Sequence, residues 1–483
     1  METKFAATTA ALLCLMTTGG ALAQTGATPS QVGEANTLMN WHSQPDAAIT
    51  PDALKNVGIA WRHATPNPVS HTPLVADGRV YFADWGGTVY ALDAETGKPV
   101  WQKTVEQPKT MWPWHGFAGT GTLGGGLLFE ASVEGNAFAL DPATGNVVWQ
   151  TRIAEDPEAG SLARLTYFDG MVFVGLQSVE EPMTHMKPGF KPDFQGKVMA
   201  LDARTGQKVW ETALVQPPHS GVAVWSSFAL DPETGVLYST TGNNYTGEPT
   251  EMSDSLVAAD ARTGKILWHR QATQNDVWTM ADQRGPDYDF AGGPQLFDVE
   301  TGGRTLHLVG AGQKSGYFHV WDRRTGDKLW ASSVGYGGVD GGMHGEASLG
   351  NDRIIAWANN NYIHKMPPGN INVSIKALNP ETGEYLWVRD GAQPAVLFAA
   401  GVLAGDIYFL PSLDGKVRAY SAKDGKTLWT SEAVGPITTT PAFDGTRLYT
   451  VAGSPGIFGD WAKGGENGIY AFGPIAPASG SSR

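Results

Sequence analysis

The chain has 483 residues and a formal net charge of −14. That acidic balance excludes a general nucleic-acid binder, which needs a basic patch to meet phosphates. With 61 Gly, 17 Trp and a single Cys, the composition suits a large all-β chain with many tight turns and excludes an internal disulfide framework.

The first residues, METKFAATTAALLCLMTTGGALAQ, carry Lys4, an apolar run and then Ala21-Leu22-Ala23. This is the pattern of a secretory leader ending in a small-x-small cleavage site. It predicts a signal peptide over 1–23, an N-terminal extension over 24–49 and a periplasmic location. Cys14 falls inside the leader and lacks the small residue expected before a lipidated Cys. The processed chain then has no cysteine and no C-x-x-C-H for covalent haem. No later run reaches the roughly 20 apolar residues of a membrane span.

From residue 89 one unit recurs: VYALDAETGKPVW, AFALDPATGNVVW, VMALDARTGQKVW, LVAADARTGKILW, FHVWDRRTGDKLW, IKALNPETGEYLW and VRAYSAKDGKTLW. The tryptophans (Trp101, Trp149, Trp210, Trp268, Trp330, Trp387 and Trp429) follow one another at about 40 to 60 residues, a propeller-like period. Alternation before the Asp predicts a strand with one buried face. D-x-x-T-G predicts a hairpin turn, with Asp accepting from backbone amides and Gly supplying positive φ. Asp93, Asp141, Asp202, Asp260 and Asp322 are therefore read as turn formers. An eighth unit, GIYAFGP at 468–474, stops before its T-G and Trp, whereas NVGIAWRHA at 56–64 is a strand without a turn partner. The N-terminal strand is expected to complete the last blade and remove the open edge. The predicted fold is an all-β, eight-bladed propeller over 50–475, with a flexible tail over 476–483.

Long insertions precede the third, fourth and fifth copies: SVEEPMTHMKPGFKPDF, TGNNYTGEPTEMSD and QNDVWTMADQRGPDYDFAGGP. Loops at one end of a propeller converge on its channel, so these segments can share a site. They contain Glu180, Asn243 and Asp289, oxygen donors suited to a hard cation, and Lys314 follows in GAGQKSGYF. In DYDFAGGP, Asp287 and Asp289 lie two apart and in an extended segment would face one way.

The repeats together with SVEE, WSSFALDPETGVLYSTTGNNYTGEPTEMSD, QNDVW…DYDFAGGP and GAGQKSG resemble the pyrroloquinoline quinone (PQQ) dependent alcohol dehydrogenases, most of all the polyvinyl-alcohol-dehydrogenase-like branch. The resemblance covers essentially the whole processed chain. It implies Asp289 as the base for hydride transfer from an alcohol to the quinone, and Lys314 as the cation beside the reactive carbonyls. It also implies Trp225 as the indole stacked on the cofactor, and Glu180, Asn243 and Asp289 as calcium ligands. Asn360 is implied as a further polar contact, and Asp287 is read here as support for Asp289. These types fit the chemistry: a flat polyanion needs an aromatic platform, cationic donors and a Lewis-acidic metal. Lanthanide-using relatives carry an extra Asp two residues after the base; here that position is Ala291, which implies calcium.

The chain departs from many relatives on the other face of the cofactor. Where they stack a vicinal disulfide it has HGFAGTGTLGGG, placing Gly119 and Thr120 there. Ser70 and Gly125 fall near a Glu and an Arg of those relatives, and His71, Trp114, His115 and Arg164 are candidate substitutes. The aromatic WPWHGF at 112–117 and GSPGIFGDW at 453–461 are read either as an apolar entrance or as blade packing. The resemblance implies an alcohol substrate, secondary or polymeric, and a separate electron acceptor such as cytochrome c. A non-catalytic propeller of the cell envelope, scaffold or binding protein, is the rival reading.

Overall fold

A computed structural model describes residues 38–44, 47, 49–108, 115–360, 372–454 and 464–475. The leader, most of the extension, the 476–483 tail, Trp112, Trp114 and the 455–461 loop lie outside the described residues.

Eight blades of four antiparallel strands follow one another around a ring, and Ser43–Gln44 adds a fifth strand to one of them. Blades 1 to 7 span 74–104, 122–152, 166–213, 229–271, 295–333, 348–389 and 402–430. Blade 8 takes three strands from 442–473 and its outermost strand from Gly58–Ala64, which pairs antiparallel with Gly468–Gly473. The N-terminal strand therefore closes the ring as the incomplete eighth unit required. The core lies between blades. One cluster joins Phe409 and Val417 of blade 7 to Phe443, Leu448 and Phe472 of blade 8.

The tryptophans are the staples between blades. In every blade a register shift sits beside the Trp position of the outermost pair. Such a bulge twists the strand and re-aims a side chain, here toward the next sheet. Trp61, Trp101, Trp149, Trp210 and Trp387 each donate their indole N–H to a backbone carbonyl in the next blade at 2.8–3.1 Å. Their rings cover the next T-G turn so closely that a Cβ on Gly97 would lie 2.5 Å from the Trp61 ring. Gly97 also has φ +69°, so the turn and the packing both require glycine. Trp61 is the docking residue that blade 8 borrows from the N-terminal strand.

The turn aspartates do as expected. Asp202 Oδ1 accepts from the amides of Arg204 and Thr205 and from the Thr205 hydroxyl at 2.7–3.1 Å. The Thr205 bonds hold its carboxyl below the usual range.

Residues 38–44, expected outside the ring, lie within it. Their carbonyls accept from the innermost strands of four successive blades: Leu38 from Leu230, Met39 from Leu296, Trp41 from Leu349 and His42 from Leu403. Ser43–Gln44 then pairs parallel with the inner strand of blade 7.

Candidate active site in the central channel

A cavity of ≈ 360 Å³ lies on the channel axis, within the size range of small-molecule sites. Its wall follows the ring symmetry. The position two residues before the inner strand lines it in seven blades: Thr72, Thr120, Arg164, Ser227, Glu346, Ala400 and Thr440. In blade 5 that position is Gly293, and Ala291 lines the cavity instead. Only Arg164 and Glu346 among these positions are charged.

Trp225 and Lys314 form one wall. The Lys314 ammonium lies 5.6 Å from the Trp225 ring centroid, within cation–π range. Behind them sits Asp289, 5 % exposed. Its Oδ2 accepts from Trp225 Nε1 at 3.1 Å and its Oδ1 is 2.7 Å from Lys314 Nζ. Lys314 also donates to Asp287 Oδ1 at 3.0 Å. The two aspartates of DYDFAGGP therefore share one lysine but sit differently: Asp287 takes a left-handed φ of +58° and Asp289 does not. Asp276, in QNDVW, receives the amides of Asp287 and Tyr288 at 3.2 and 2.6 Å and so fixes the turn.

Asn243 lies close by. A Cβ on the preceding Gly242 would be 3.3 Å from Asp289 Oδ2 and 3.6 Å from Trp225 Nε1. The Asn243 side-chain amide donates to the carbonyls of Asn244 and Trp278 at 2.9 and 2.7 Å. Its oxygen is the end left for another partner.

Glu180 is not brought to this group. Its carboxylate accepts from the amides of Asp193 and Phe194 at 3.2 and 2.8 Å and clusters with Asp156 and Asp193. Burial pushes its carboxyl up to about 8. The neighbouring Glu181 lies within electrostatic reach of the group instead. Its carboxyl is raised well above the usual range by burial first, then by Asp287, with Lys314 opposing and Asp289 and Asp276 adding. Both glutamates open the short helix Glu180–Met186, where consecutive side chains diverge by about 100°. The doubled Glu of SVEE was the available signal.

Gly119, Thr120, Ser70 and Arg164 line the cavity. Asn360 does not. Its amide donates to Ser374 and its oxygen accepts from the Tyr336 amide, so it ties blade 6 to a loop of blade 5. Gly125 lies in a hairpin turn at φ +56°. His71 is buried against Glu130 at 2.9 Å, and His115 is largely exposed beside Glu134. Sequence reasoning also missed Trp85, His344, Phe398 and Thr438 on the cavity wall.

The donor set fits both groups the sequence implies. Glu181, Asp276, Asp287 and the fully buried Asp254 all have carboxyls raised first by burial. Coulombic repulsion among the acids, Asp289 included, pushes the same way, and Lys314 is the cation that opposes it for Glu181, Asp276 and Asp287. An excess of carboxylate oxygens with an amide oxygen is what a divalent hard cation binds. The cavity itself offers a half-buried indole face, Lys314 and Arg164 for an anion, and buried hydroxyls on Thr438 and Thr439 without partners among the described residues.

The chain is thus an eight-bladed ring with a polar axial cavity, an indole wall and an adjoining carboxylate cluster, a fold it shares with solved quinohemoprotein alcohol dehydrogenases. The comparisons agree. Residues 172–334 match the family model for the β-propeller domain of glucose/ethanol/alcohol dehydrogenases. Residues 54–179 and 372–472 match the one for outer membrane protein assembly factor BamB.

The chain is a relative of the PQQ-dependent alcohol dehydrogenases. It is 27 % identical over 436 residues to a polyvinylalcohol dehydrogenase of Pseudomonas sp, covering 81 % of this chain and 66 % of that one. To the polyvinylalcohol dehydrogenase of Sphingopyxis sp. (strain 113P3) it is 26 % identical, covering 86 % and 71 %. The solved quinohemoprotein alcohol dehydrogenase ADHIIG of Pseudomonas putida HK5 superposes with a TM-score of 0.75 at 18 % identity, covering 92 % and 81 %. That likeness is one of fold.

Proposed function

We propose that the chain is a periplasmic PQQ- and calcium-dependent dehydrogenase that oxidises an alcohol, of secondary or polymeric kind, to a carbonyl. The observation that carries this is the convergence of Trp225, Lys314, Asp289 and Asn243 on one side of the axial cavity. The named relatives support it, and the N-terminal leader pattern supports the compartment. Among the described residues no helix is long and apolar enough to cross a membrane.

Bound PQQ supplies the two-electron acceptor, and calcium the Lewis acid that polarises it. Trp225 provides the platform, while Lys314 and Arg164 meet negative charge. Glu181, Asn243 and Asp289 are the proposed calcium ligands. Asp289 takes the proton of the substrate hydroxyl, and Trp225 Nε1 and Lys314 hold its two oxygens in place for that role. Ala291, on the cavity wall, offers no further carboxylate, which favours calcium over a trivalent lanthanide. Electrons leave to a separate acceptor such as cytochrome c. A scaffold propeller gives no account of four buried aspartates, Asp254, Asp276, Asp287 and Asp289, gathered beside one lysine.

The test is reconstitution of the purified chain with PQQ and calcium, followed by dye reduction with primary, secondary and polymeric alcohols. Uptake at micromolar PQQ and turnover with calcium are expected. No uptake ends the enzyme reading, and turnover that requires a lanthanide and ignores calcium ends the metal assignment.

A further inference from the structure

Glu346 is the one acidic residue in the ring of positions that lines the cavity, and it faces inward to two neighbouring loops. Its Oε1 accepts from Ser227 Oγ at 2.5 Å and from the Gly293 amide at 3.0 Å. Ser227 lies two residues after Trp225, and Gly293 four after Asp289. One carboxylate from blade 6 therefore ties together the lead-in loops of blades 4 and 5, which carry the indole and the base.

The same two loops are tied from beneath by residues 38–44. Asn40, fully buried, donates to Ser227 Oγ at 2.8 Å and to the Pro294 carbonyl at 3.0 Å. Gln295 donates to the carbonyls of Asn40 and Ala347 and accepts from the Ala347 amide. His42 faces the second Glu346 oxygen at 3.8 Å. Burial would raise the Glu346 carboxyl, but His42, Ser227 and the Gly293 amide outweigh it and hold it below the usual range. The left-handed φ values of Asn40 and His42, +63° and +50°, show a backbone bent to fit the channel.

We propose that Glu346 and Asn40 form a clamp on Ser227 that sets the position of Trp225 relative to Asp289, making the N-terminal segment 38–44 a working part of the site. The clamp rests on the reading of Trp225 as platform and Asp289 as base. Both residues act through Ser227, so they are positioning residues and their effects should not add.

The test labels the full-length chain with 5-fluorotryptophan and follows the Trp225 ¹⁹F resonance, assigned by Trp225→Phe, without cofactor. Glu346→Ala should shift or broaden that resonance while leaving the Trp61 resonance in place. Glu346→Gln, which still accepts from Ser227 and Gly293, should largely restore it. Asn40→Ala should move it the same way, and the double variant should go little further than Glu346→Ala alone. In the loaded enzyme, kcat should fall roughly 10- to 100-fold with KM for the alcohol nearly unchanged, as a misplaced reacting group requires. An unmoved Trp225 resonance with wild-type kcat in Glu346→Ala overturns the clamp. An unmoved resonance with lost PQQ uptake also overturns it, because Glu346 would then be touching the ligand itself. If the parent chain takes up no PQQ while the resonance still moves, the clamp stands and the proposed function falls. Should Glu346→Ala fail to fold, Asn40→Ala decides by the same readout.

Discussion

Lys314 Nζ lies 2.7 Å from Asp289 Oδ1, and the same nitrogen donates to Asp287 Oδ1 at 3.0 Å. Asp289 also receives the Trp225 indole N–H, whereas Asp287 is buried at 1 % exposure. Burial pushes the Asp287 carboxyl up to about 7, with Lys314 opposing. The two acids are therefore unequal. Asp289→Asn should lower kcat by roughly 10²–10⁴, the range for a lost general base, with PQQ uptake largely kept. Asp287→Asn suits the left-handed backbone there and should retain measurable turnover. Stopped-flow dye reduction of both variants checks this, and equal losses would make the pair a single functional unit.

Glu180 and Glu181 give a second contrast on adjacent residues. Glu181 lies within electrostatic reach of the Asp287–Asp289–Lys314 group, while Glu180 is held by the amides of Asp193 and Phe194. Glu181→Gln should weaken calcium binding by at least about 10–100-fold, the loss typical even for a supporting residue of a metal site. Glu180→Gln should leave the calcium requirement near that of the parent. Calorimetric titration with calcium, in the presence of PQQ, distinguishes them. A larger calcium defect in Glu180→Gln would restore the assignment made from sequence alone.

The ring was legible because every blade repeats one unit, and the strand missing from the eighth could be sought elsewhere. Trp225, Asn243, Asp289 and Lys314 were legible through the motifs they sit in, WSSFALDP, TTGNN, DYDFAGGP and GAGQKSG. Glu181 was not, because it opens a helical turn inside an insertion, where strand alternation no longer says which side chain faces inward. Asn360 was misplaced for a related reason. Three consecutive asparagines look equivalent in sequence, yet Asn359 holds the Leu397 backbone and Asn360 holds Tyr336 and Ser374. Residues 38–44 had no repeat signature, since their backbone carbonyls accept from four inner strands and their side-chain bonds, such as Asn40 to Ser227, follow no period.

Ring closure rests on Trp61. Its indole donates to the Ala94 carbonyl at 3.1 Å, covers Gly97 of blade 1 and lies 5.8 Å from the Tyr449 ring of blade 8. Loss of a packed aromatic costs about 3–5 kcal/mol in a closed core, and less where the ring is partly exposed. Trp61→Ala should therefore destabilise the chain by roughly 2–4 kcal/mol. Gly97→Ala should also destabilise, because its Cβ meets the ring at 2.5 Å and its φ is +69°. Urea unfolding measures both. Because the two changes break one contact, the double variant should cost less than the sum.

His319 makes stability depend on acid. It is 6 % exposed, stacks on Trp321 at 5.5 Å and bonds through Nε2 to Gln313 Oε1 at 3.1 Å. That acceptor assigns the proton to Nε2, and Nδ1 has no hydrogen-bond partner among the described residues. Burial first, then Lys328, lowers its pKa from 6.5 to about 3. With the folded pKa below the unfolded one, only the unfolded chain takes up this proton between the two values. The stabilisation is thus fully present above pH 6.5 and is lost as pH falls toward 3, at up to about 1.4 kcal/mol per pH unit. His344 is lowered to about 3 as well, by burial and then by Lys314, so it adds a second proton to the same window. His319→Gln should therefore reduce the acid slope of unfolding free energy without abolishing it. Urea midpoints of parent and variant at pH 7, 5.5 and 4.5 give the slopes, and identical slopes would mean that His319 is accommodated as the imidazolium in the folded chain.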